Sequence, residues 1–249
     1  VRNTAGSHYL VDSVRGLGTG DSYRALDTAG SSAEYSNDND MLRTLDHGGF
    51  TLDDNNDVTF YVNRSSDNYV AWCWKAGGAA VANTDGTINT QISVNKEAGF
   101  SIISYSGTGS AGTIGHGLDT VPKMIITKRR TDSEDFKVYH SKLSGGHFLK
   151  LNSTQAETSN TDVYPNTDPT STVYSLGNHA SVNGSGDTYI AYCWSEIPGY
   201  SKFGIYRGNG SSDGVFNHCG FKPACIITAG KNSSDAWYIF DNTRDPDNV

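Results

Sequence analysis

The residues most able to bind a metal are three oxygen ligands at alternate positions, Asp53, Asn55 and Asp57. A calcium-binding loop begins with this spacing, because a hard cation prefers carboxylate and amide oxygens. The rest of the loop pattern is missing, since Val58 stands where a glycine is needed and Arg64 where a glutamate is needed. We therefore predict a solvated turn with no metal and no cofactor, and keep a weak calcium site as the alternative.

Catalytic patterns are weak in the rest of the chain. Residues 107–112 match the Gly-x-Gly-x-x-Gly pattern of dinucleotide sites, but residues 113–117 do not begin a helix that would meet a phosphate. A hairpin turn is therefore predicted there. The 7 histidines stand singly, and no Gly-x-Ser-x-Gly nucleophile motif occurs. Together these observations predict that the chain is not an enzyme.

The 4 cysteines do not form a metal-binding pattern, because none has the paired Cys-x-x-Cys spacing. Cys73 and Cys193 lie between aromatic residues, and we interpret them as small apolar side chains of a core. Cys219 and Cys225 flank a short turn, and either a disulfide bond or two free thiols would fit that spacing.

Two aromatic segments organise the chain, Tyr-Val-Ala-Trp-Cys-Trp at residues 69–74 and Tyr-Ile-Ala-Tyr-Cys-Trp at residues 189–194. Both follow polar turn sequences and are rich in aromatic and β-branched residues, so we predict two strands that are buried on both faces. We call them the first and second anchor segments. The aromatic side chains expected to hold them in the core are Tyr69, Trp72, Trp74, Tyr189, Tyr192 and Trp194.

Other segments recur in the same order, which indicates a duplication. Residues 99–109 are echoed by residues 199–210, and residues 121–127 are echoed by residues 222–228. In residues 121–127 and again in residues 222–228, a proline stands shortly before the apolar run, as expected at the start of a strand.

A third element occurs three times, at residues 7–12, 135–140 and 236–241. From all these matches we predict three parts: an N-terminally incomplete first β unit at 1–98, a second β unit at 99–198, and strands that begin a further repeat at 199–249. The chain is therefore expected to open inside one repeat and to end inside another.

The predicted fold class is all-β with almost no helix, because no segment keeps an apolar period of 3.6 residues for three turns. About six short strands per unit favour a β-sandwich or jelly roll. Residues 75–98 have no counterpart after the second anchor segment and are interpreted as an insertion. We expect an ordinary surface loop, and keep as the alternative an interaction arm in which Asn83 and Asp85 are the candidate contact residues.

The first unit lacks the Gly-rich segment and the Ile-Ile strand that precede the third element in the later units. Its sheet is therefore expected to have an open edge, which is a template for another strand. That strand would come from elsewhere in the chain, from upstream sequence or from a neighbouring subunit. The side chains expected at such contacts are Ser7, Tyr9, Val11, Trp237 and Ile239.

The net charge of -8 and the scattered basic residues argue against nucleic acid as a partner, because phosphate binding requires a basic stripe. No apolar run approaches the roughly 18 residues of a membrane span, so membrane insertion is not expected. Exposed Tyr or Trp side chains at loop tips would stack on sugar rings, which keeps host-surface glycans as candidate partners.

Three stretches of the sequence resemble an uncharacterised β-rich repeat family. They are the first anchor segment with its continuation to residue 78, and the blocks at 99–109 and 199–210. That family is found in tail-fibre-like and other virion-associated proteins of tailed bacteriophages, and in bacterial and prophage proteins. The resemblance runs over essentially the whole chain, but it assigns no catalytic residue. It implies a modular surface or fibre component, located outside the cell or on the virion surface.

The leading expectation is a structural, self-associating β module of a phage tail fibre or a similar filament. One alternative is a carbohydrate-binding module for adhesion to a host surface. A polysaccharide hydrolase is a further alternative, and it would need two carboxylates facing each other across a cleft.

Overall fold

The computed structural model describes residues 7–16, 24–36, 42–46, 48–52 and 62–244. The predicted all-β class is confirmed, and the one helix among these residues is the four-residue α1 (Ala180–Asn183). The strands are β1 (Tyr9–Val11), β2 (Ala25–Asp27), β3 (Leu42–Asp46), β4 (Gly49–Leu52), β5 (Val81–Asn83), β6 (Thr90–Asn95), β7 (Phe100–Ser106), β8 (Gly112–Gly115), β9 (Pro122–Arg129), β10 (Lys137–His140), β11 (His147–Lys150), β12 (Thr158–Ser159), β13 (Val173–Leu176), β14 (Thr188–Ser195), β15 (Cys225–Thr228) and β16 (Tyr238–Asp241).

The centre of the molecule is an antiparallel sheet with the strand order β12-β11-β10-β9-β14-β7-β6-β5. The second anchor segment is β14, which lies between β7 and β9 and pairs with both along most of its length. Its side chains alternate between the two faces, with Tyr189 and Cys193 in one apolar cluster and Ile190 and Tyr192 in the other. The prediction of a strand buried on both faces is therefore confirmed for this segment.

A separate layer covers each face of the sheet. On one face the β8–β13 pair supplies Ile114 and Tyr174, which pack against the β14 cluster that holds Cys193. On the other face Leu26 from the β1–β2 hairpin and Trp237 from the end of the chain join the cluster that holds Tyr192. This layering is β-sandwich-like, because each apolar face of the sheet is covered by another element.

The prediction of a buried strand was wrong for the first anchor segment. Residues 69–74 are not part of any strand, Cys73 is exposed, and 45% of the Trp74 surface is accessible. The two anchor segments have the same residue at four of six positions, so local sequence does not explain the difference. The second segment has ladder partners on both sides, whereas the first has none among the described residues, and a strand needs such partners to pair its backbone groups.

Residues 75–98 are neither the predicted arm nor a surface loop. They contain β5 and β6, which extend the central sheet beyond β7, and Ile92 of β6 is buried in the core. The backbone approaches closely here, since a Cβ atom on Gly77 would lie 1.9 Å from the carbonyl oxygen of Val94. The sheet therefore continues across the predicted boundary between residues 98 and 99.

Candidate functional site: the contacts between repeated units

An Asp-x-x-Arg turn follows β1 and forms a compact charged unit. The carboxylate of Asp12 accepts hydrogen bonds from the backbone N–H groups of Val14 and Arg15, at 2.9 and 2.8 Å. Nε of Arg15 donates to the second carboxylate oxygen at 2.5 Å, and Nη2 donates to the carbonyl oxygen of Leu10 at 2.8 Å. The turn thus provides hydrogen-bond partners for both the Arg15 guanidinium and the Asp12 carboxylate.

The same turn follows β16 near the other end of the chain. Asp241 accepts from the backbone N–H groups of Thr243 and Arg244, at 3.1 and 2.9 Å. Nε of Arg244 donates to Asp241 at 2.6 Å, and Nη2 donates to the carbonyl oxygen of Ile239. Sequence reasoning matched these two segments only as far as the Asp, although Tyr-x-x-Asp-x-x-Arg is present at residues 9–15 and 238–244.

The first turn is docked on the central sheet. The hydroxyl of Tyr192 donates to the Asp12 carboxylate at 2.5 Å, and Asp12 and Arg15 are both buried. Burial raises the pKa of Asp12, but the adjacent Arg15 guanidinium and the hydrogen bonds from Tyr192 and the backbone more than offset it. The pKa of Asp12 is therefore held below its ordinary value, and the carboxylate stays charged at neutral pH.

Glu34 links the first unit to the second by a network of arginines. It accepts from Nε and Nη2 of Arg130 at 2.8 and 2.9 Å, and lies 3.3 Å from Arg15 and 3.2 Å from Arg24. The backbone N–H of Glu34 also donates to the carbonyl oxygen of Arg130 at 2.9 Å. Burial raises the pKa of Glu34, and the arginines more than reverse this, so the pKa is lowered.

This contact recurs between the second unit and the last. Ala33-Glu34 corresponds to Ala156-Glu157 in sequence, and the backbone N–H of Glu157 donates to the carbonyl oxygen of Lys231 at 2.9 Å. The two side chains also form an ion pair at 3.3 Å. In both places a glutamate of one unit therefore binds a basic residue that follows the Ile-Ile strand of the next unit.

The second Asp-x-x-Arg turn lies against the first anchor segment. The guanidinium carbon of Arg244 is 5.3 Å from the centre of the Trp72 ring, a cation–π arrangement. Trp72 corresponds in sequence to Tyr192, the residue that binds the first turn. Nε1 of Trp72 is buried and has no hydrogen-bond partner within the described ranges.

The other predicted anchor residues make aromatic contacts or hydrogen bonds within the fold. Trp74 meets Trp194 at 6.2 Å between ring centres, and Tyr189 stacks on Tyr105 at 5.1 Å. The hydroxyl of Tyr189 donates to the carbonyl oxygen of Ala180. The hydroxyl of Tyr69 accepts from the backbone N–H of Arg64. These residues hold the fold together and do not converge on one cavity.

The predicted interaction residues of the first unit lie in or beside its hairpin. Ser7 donates to Asp27 at 2.9 Å, and the ring centres of Tyr9 and Tyr35 are 6.5 Å apart. Val11 packs on a small separate cluster. These side chains stabilise the β1–β2 hairpin from which Asp12 and Arg15 reach the central sheet.

The predicted interaction residues of the last unit are Ile239, which lies in β16, and Trp237, which directly precedes that strand. Nε1 of Trp237 donates to the carbonyl oxygen of Lys150 at 2.9 Å and so ties the unit to β11. Ile239 pairs with Ile227 across the β15–β16 hairpin.

A polar cleft of about 380 Å³ lies beside β5, β6 and β7. Asn83, Gln91, Ser104 and Arg130 line it, and its one lining aromatic residue, Tyr105, is buried. The predicted interaction residue Asp85 accepts from the Asn83 side chain at 2.7 Å. The cleft therefore offers hydrogen-bond donors and acceptors, but no exposed ring on which a sugar would stack.

The calcium candidates Asp53, Asn55 and Asp57 lie outside the described residues. Elsewhere in the described chain, no group of three or more His, Cys, Asp or Glu side chains has a metal-binding arrangement. The described residues also contain no helix long and apolar enough to cross a membrane. Cys219 and Cys225 are free thiols, so the alternative of a bridge across their turn is not realised in this structure.

Lys128 makes the joint between the first two units sensitive to alkaline pH. Its ammonium group is buried, donates to the carbonyl oxygens of Ser31 and Arg129 at 3.3 and 2.8 Å, and lies 5.6 Å from the centre of the Phe136 ring. Burial is the main reason why the pKa of Lys128 falls from 10.5 to about 8. The folded chain therefore releases this proton at a lower pH than the unfolded chain does.

Because the unfolded chain binds more protons between these two pKa values, Lys128 should make the protein more stable as the pH rises from about 8 to 10.5. The expected gain is roughly 3 kcal/mol, since a tenfold change in proton affinity is about 1.4 kcal/mol. Urea unfolding of the wild type and of Lys128→Met across this range measures it. The variant should lack the rise, and equal pH profiles would contradict the prediction.

The chain belongs to the DUF7483 family, described as a domain of unknown function, whose family model matches residues 1–249. No curated protein and no solved structure matches the chain.

Proposed function

We propose that this member of the DUF7483 family is a structural module that self-associates into an extracellular filament, such as a phage tail fibre. One observation carries the proposal: the glutamate contact between neighbouring units occurs twice, through Glu34 and Arg130 and again through Glu157 and Lys231. A joint that repeats along one chain can also repeat between chains, because each unit offers a matching surface to the next.

The chemistry of these contacts fits a mechanical role. The charged side chains at this joint form ion pairs and hydrogen bonds with one another: Arg15 pairs with Asp12 and Glu34, and Tyr192 donates to Asp12. These contacts hold the first unit against the second. Catalytic acids and bases, in contrast, must reach a substrate.

The last unit exposes much more apolar surface than the central sheet does. Phe216 has 89% of its surface accessible, and Tyr200, Ile205 and Tyr206 are more than half exposed. The β15–β16 hairpin has no third strand among the described residues, and an isolated hairpin is marginally stable in water. Exposed apolar surface of this extent is typical of an interaction site, which supports self-association.

Electron microscopy and sedimentation velocity over a wide range of protein concentration test the proposal. We expect regular oligomers or fibres that grow with concentration. Phe216→Ser should weaken them, because it removes the most exposed apolar side chain of the last unit. Val81→Ser is the matched control, since Val81 is 62% exposed but lies on β5, far along the chain from the last unit. A wild-type chain that stays monomeric at every concentration would refute self-association.

Carbohydrate binding is the second candidate function, and the polar cleft beside β5 is the observation that favours it. Asn83 and Gln91 supply amide groups that match sugar hydroxyls. A glycan array identifies any ligand, and Asn83→Ala combined with Gln91→Ala should then abolish its binding while leaving the oligomeric state unchanged. Glycan binding that survives this change would place the ligand elsewhere.

A further inference from the structure

We propose that the first anchor segment closes the last unit of its own chain by pairing as a β-strand with the open edge of β15. In this structure Trp72 of the segment contacts the turn that follows β16, but residues 69–74 form no ladder. The paired arrangement is a second conformation, in which the first and last units complete one sheet together. Because it concerns one folded chain, the inference does not depend on the proposed self-association.

The open edge of β15 has a counterpart in the central sheet that is filled. By sequence, β15 and β16 correspond to β9 and β10, and each pair is antiparallel. β9 pairs on its other side with β14, the second anchor segment, whereas β15 has no second neighbour within the described ranges. Ile226 and Ile227 are accordingly 48% and 44% exposed.

Backbone groups along this edge point away from β16. The N–H of Asn242 donates to the carbonyl oxygen of Ala224 at 3.1 Å, so Ala224 and every second residue after it bond to β16. The N–H and carbonyl groups of Cys225 and Ile227 therefore face the open edge. An edge of this kind is a template for one more strand.

The first anchor segment has the sequence of a strand that belongs on such an edge. It repeats the Tyr-x-Ala-x-Cys-Trp pattern of β14. Cys73 and Trp74 are exposed, and the buried Nε1 of Trp72 has no hydrogen-bond partner within the described ranges. The backbone groups of residues 70–74 also have no partner in the described part of the chain. These groups are therefore available for a ladder.

Two contacts bring the required elements together within one chain. The guanidinium carbon of Arg244, which follows β16, is 5.3 Å from the centre of the Trp72 ring. The hydroxyl groups of Tyr206 and Thr228 are 3.1 Å apart. Tyr206 belongs to residues 199–210, the counterpart of the segment that holds β7, which is the other neighbour of β14. The counterparts of all four strands β7, β14, β9 and β10 are thus linked by contacts in a single molecule.

The segment's own chain supplies the strand because the two elements already touch there. The carbonyl oxygens of Lys75 and Gly78 accept from Asn95 and Ser93 of β6. These bonds lie after residue 74 and use none of the ladder groups, so closure does not break them. A segment held beside its edge also pairs without the loss of freedom that a separate molecule incurs on binding.

Closure changes the surface that the last unit presents. When the edge of β15 is open, its backbone groups and the half-exposed Ile226 and Ile227 are accessible. When residues 69–74 pair with it, the edge is capped and cannot act as a template for another strand. The first anchor segment is therefore a cap built into the chain.

The central sheet gives the register of the closure. Cys193 lies opposite Ile125 in the pairing of β14 with β9. Carried to the last unit, Cys73 lies opposite Ile226, which is the counterpart of Ile125. This pair exchanges no backbone hydrogen bonds, because those of Ile226 go to β16. The Cα atoms of such a pair are about 4.5 Å apart, which is within the range that a disulfide spans.

Disulfide trapping within one chain tests this register. The variant keeps Cys73 and carries Cys219→Ser, Cys225→Ser and Ile226→Cys. We expect mild oxidation of a dilute sample to give a monomer with a 73–226 link, identified by mass spectrometry, at a rate that does not change with protein concentration. In the matched control Ile227→Cys replaces Ile226→Cys, and its link should form at least about tenfold more slowly, because residue 227 faces the other side of the sheet.

Amide hydrogen exchange tests the closure without new cysteines. In the proposed register Trp72 lies opposite Ile227, whose N–H bonds to the segment in the closed conformation. We expect this N–H to exchange at least about tenfold more slowly in the wild type than in Trp72→Pro, because a proline cannot donate to the ladder. The N–H of Ile226 bonds to β16 and should exchange at the same rate in both proteins.

Four results would overturn the inference: no 73–226 link, equal linking from residues 226 and 227, linking that speeds up with protein concentration, and equal exchange of the Ile227 N–H in the wild type and in Trp72→Pro. Linking that depends on concentration would show that the edge receives its strand from another chain. The test of self-association through Phe216 stays separate, because Phe216 lies outside the paired residues.

Discussion

Cys193→Asp is expected to prevent folding, whereas Cys73→Asp at the matching position of the first anchor segment should leave the fold intact. Cys193 is fully buried in the cluster with Ile125 and Tyr189, and burial raises the pKa of its thiol well above the ordinary value. A carboxylate placed there is surrounded by the apolar side chains of that cluster, and a buried charge without a partner costs about 4 kcal/mol or more. That loss approaches the whole stability of a typical domain, which is about 5 to 15 kcal/mol.

The control is informative because the two cysteines have nearly the same neighbours in sequence. Cys73 is exposed, so an aspartate at this position remains hydrated. Thermal unfolding followed by circular dichroism, at a concentration where the wild type is monomeric, measures both variants. Cys193→Ser should show an intermediate loss of about 1 to 3 kcal/mol, since it buries a hydroxyl instead of a charge. A cooperatively folded Cys193→Asp protein would show that β14 is not in the core.

The anchor segments also show what the sequence could and could not predict. β14 was predictable because its pattern and the strands that flank it, β7 and β9, are all visible as repeated apolar runs. Residues 69–74 carry the same pattern without ladder partners among the described residues. Since β propensity largely reflects packing against neighbours, a local pattern cannot report whether those neighbours are present.

Residues 75–98 were misread for a related reason. Their Gly- and Ala-rich beginning is typical of a loop, yet Ile92 and Val94 lie on alternate positions and join the core cluster from β6. What decides between loop and strand is the open edge of β7, which is a property of the sheet and not of the segment. The all-β class, in contrast, follows from composition and turn frequency over the whole chain.

The charged joint could not be foreseen because Asp12 and Arg15 look like residues of an exposed turn. Such side chains are almost never fully buried unless they are paired. Their partners, Glu34 and Tyr192, are distant in sequence, and the corresponding turn of the second unit has His140 in place of the aspartate. Comparing the three copies of the third element therefore did not reveal the Asp-x-x-Arg turn, which only the first and last copies contain.

Arg15→Ala is expected to destabilise the protein by about 3 to 5 kcal/mol, because it leaves the buried Asp12 carboxylate without its countercharge. Arg244→Ala at the matching turn should have a much smaller effect, since the Arg244 side chain is partly exposed. The double change of Asp12→Ala with Arg15→Ala should cost less than the sum of the two single changes, since it removes both charges together. Urea unfolding of the four variants and the wild type measures each change in the free energy of unfolding.

The pH dependence of Arg15→Ala separates this charge effect from simple loss of packing. In the wild type the pKa of Asp12 is lowered, so its contribution to stability is present above the unfolded pKa near 3.8 and is lost as the pH falls through the folded value. Without the Arg15 guanidinium, the pKa of Asp12 should be higher than in the wild type, so acid should destabilise the variant less than it destabilises the wild type. The difference between the two proteins should therefore shrink as the pH is lowered towards the ordinary carboxyl pKa. A difference that does not change with pH would show that Arg15 acts by packing alone and that the joint between the units is not held by its charges.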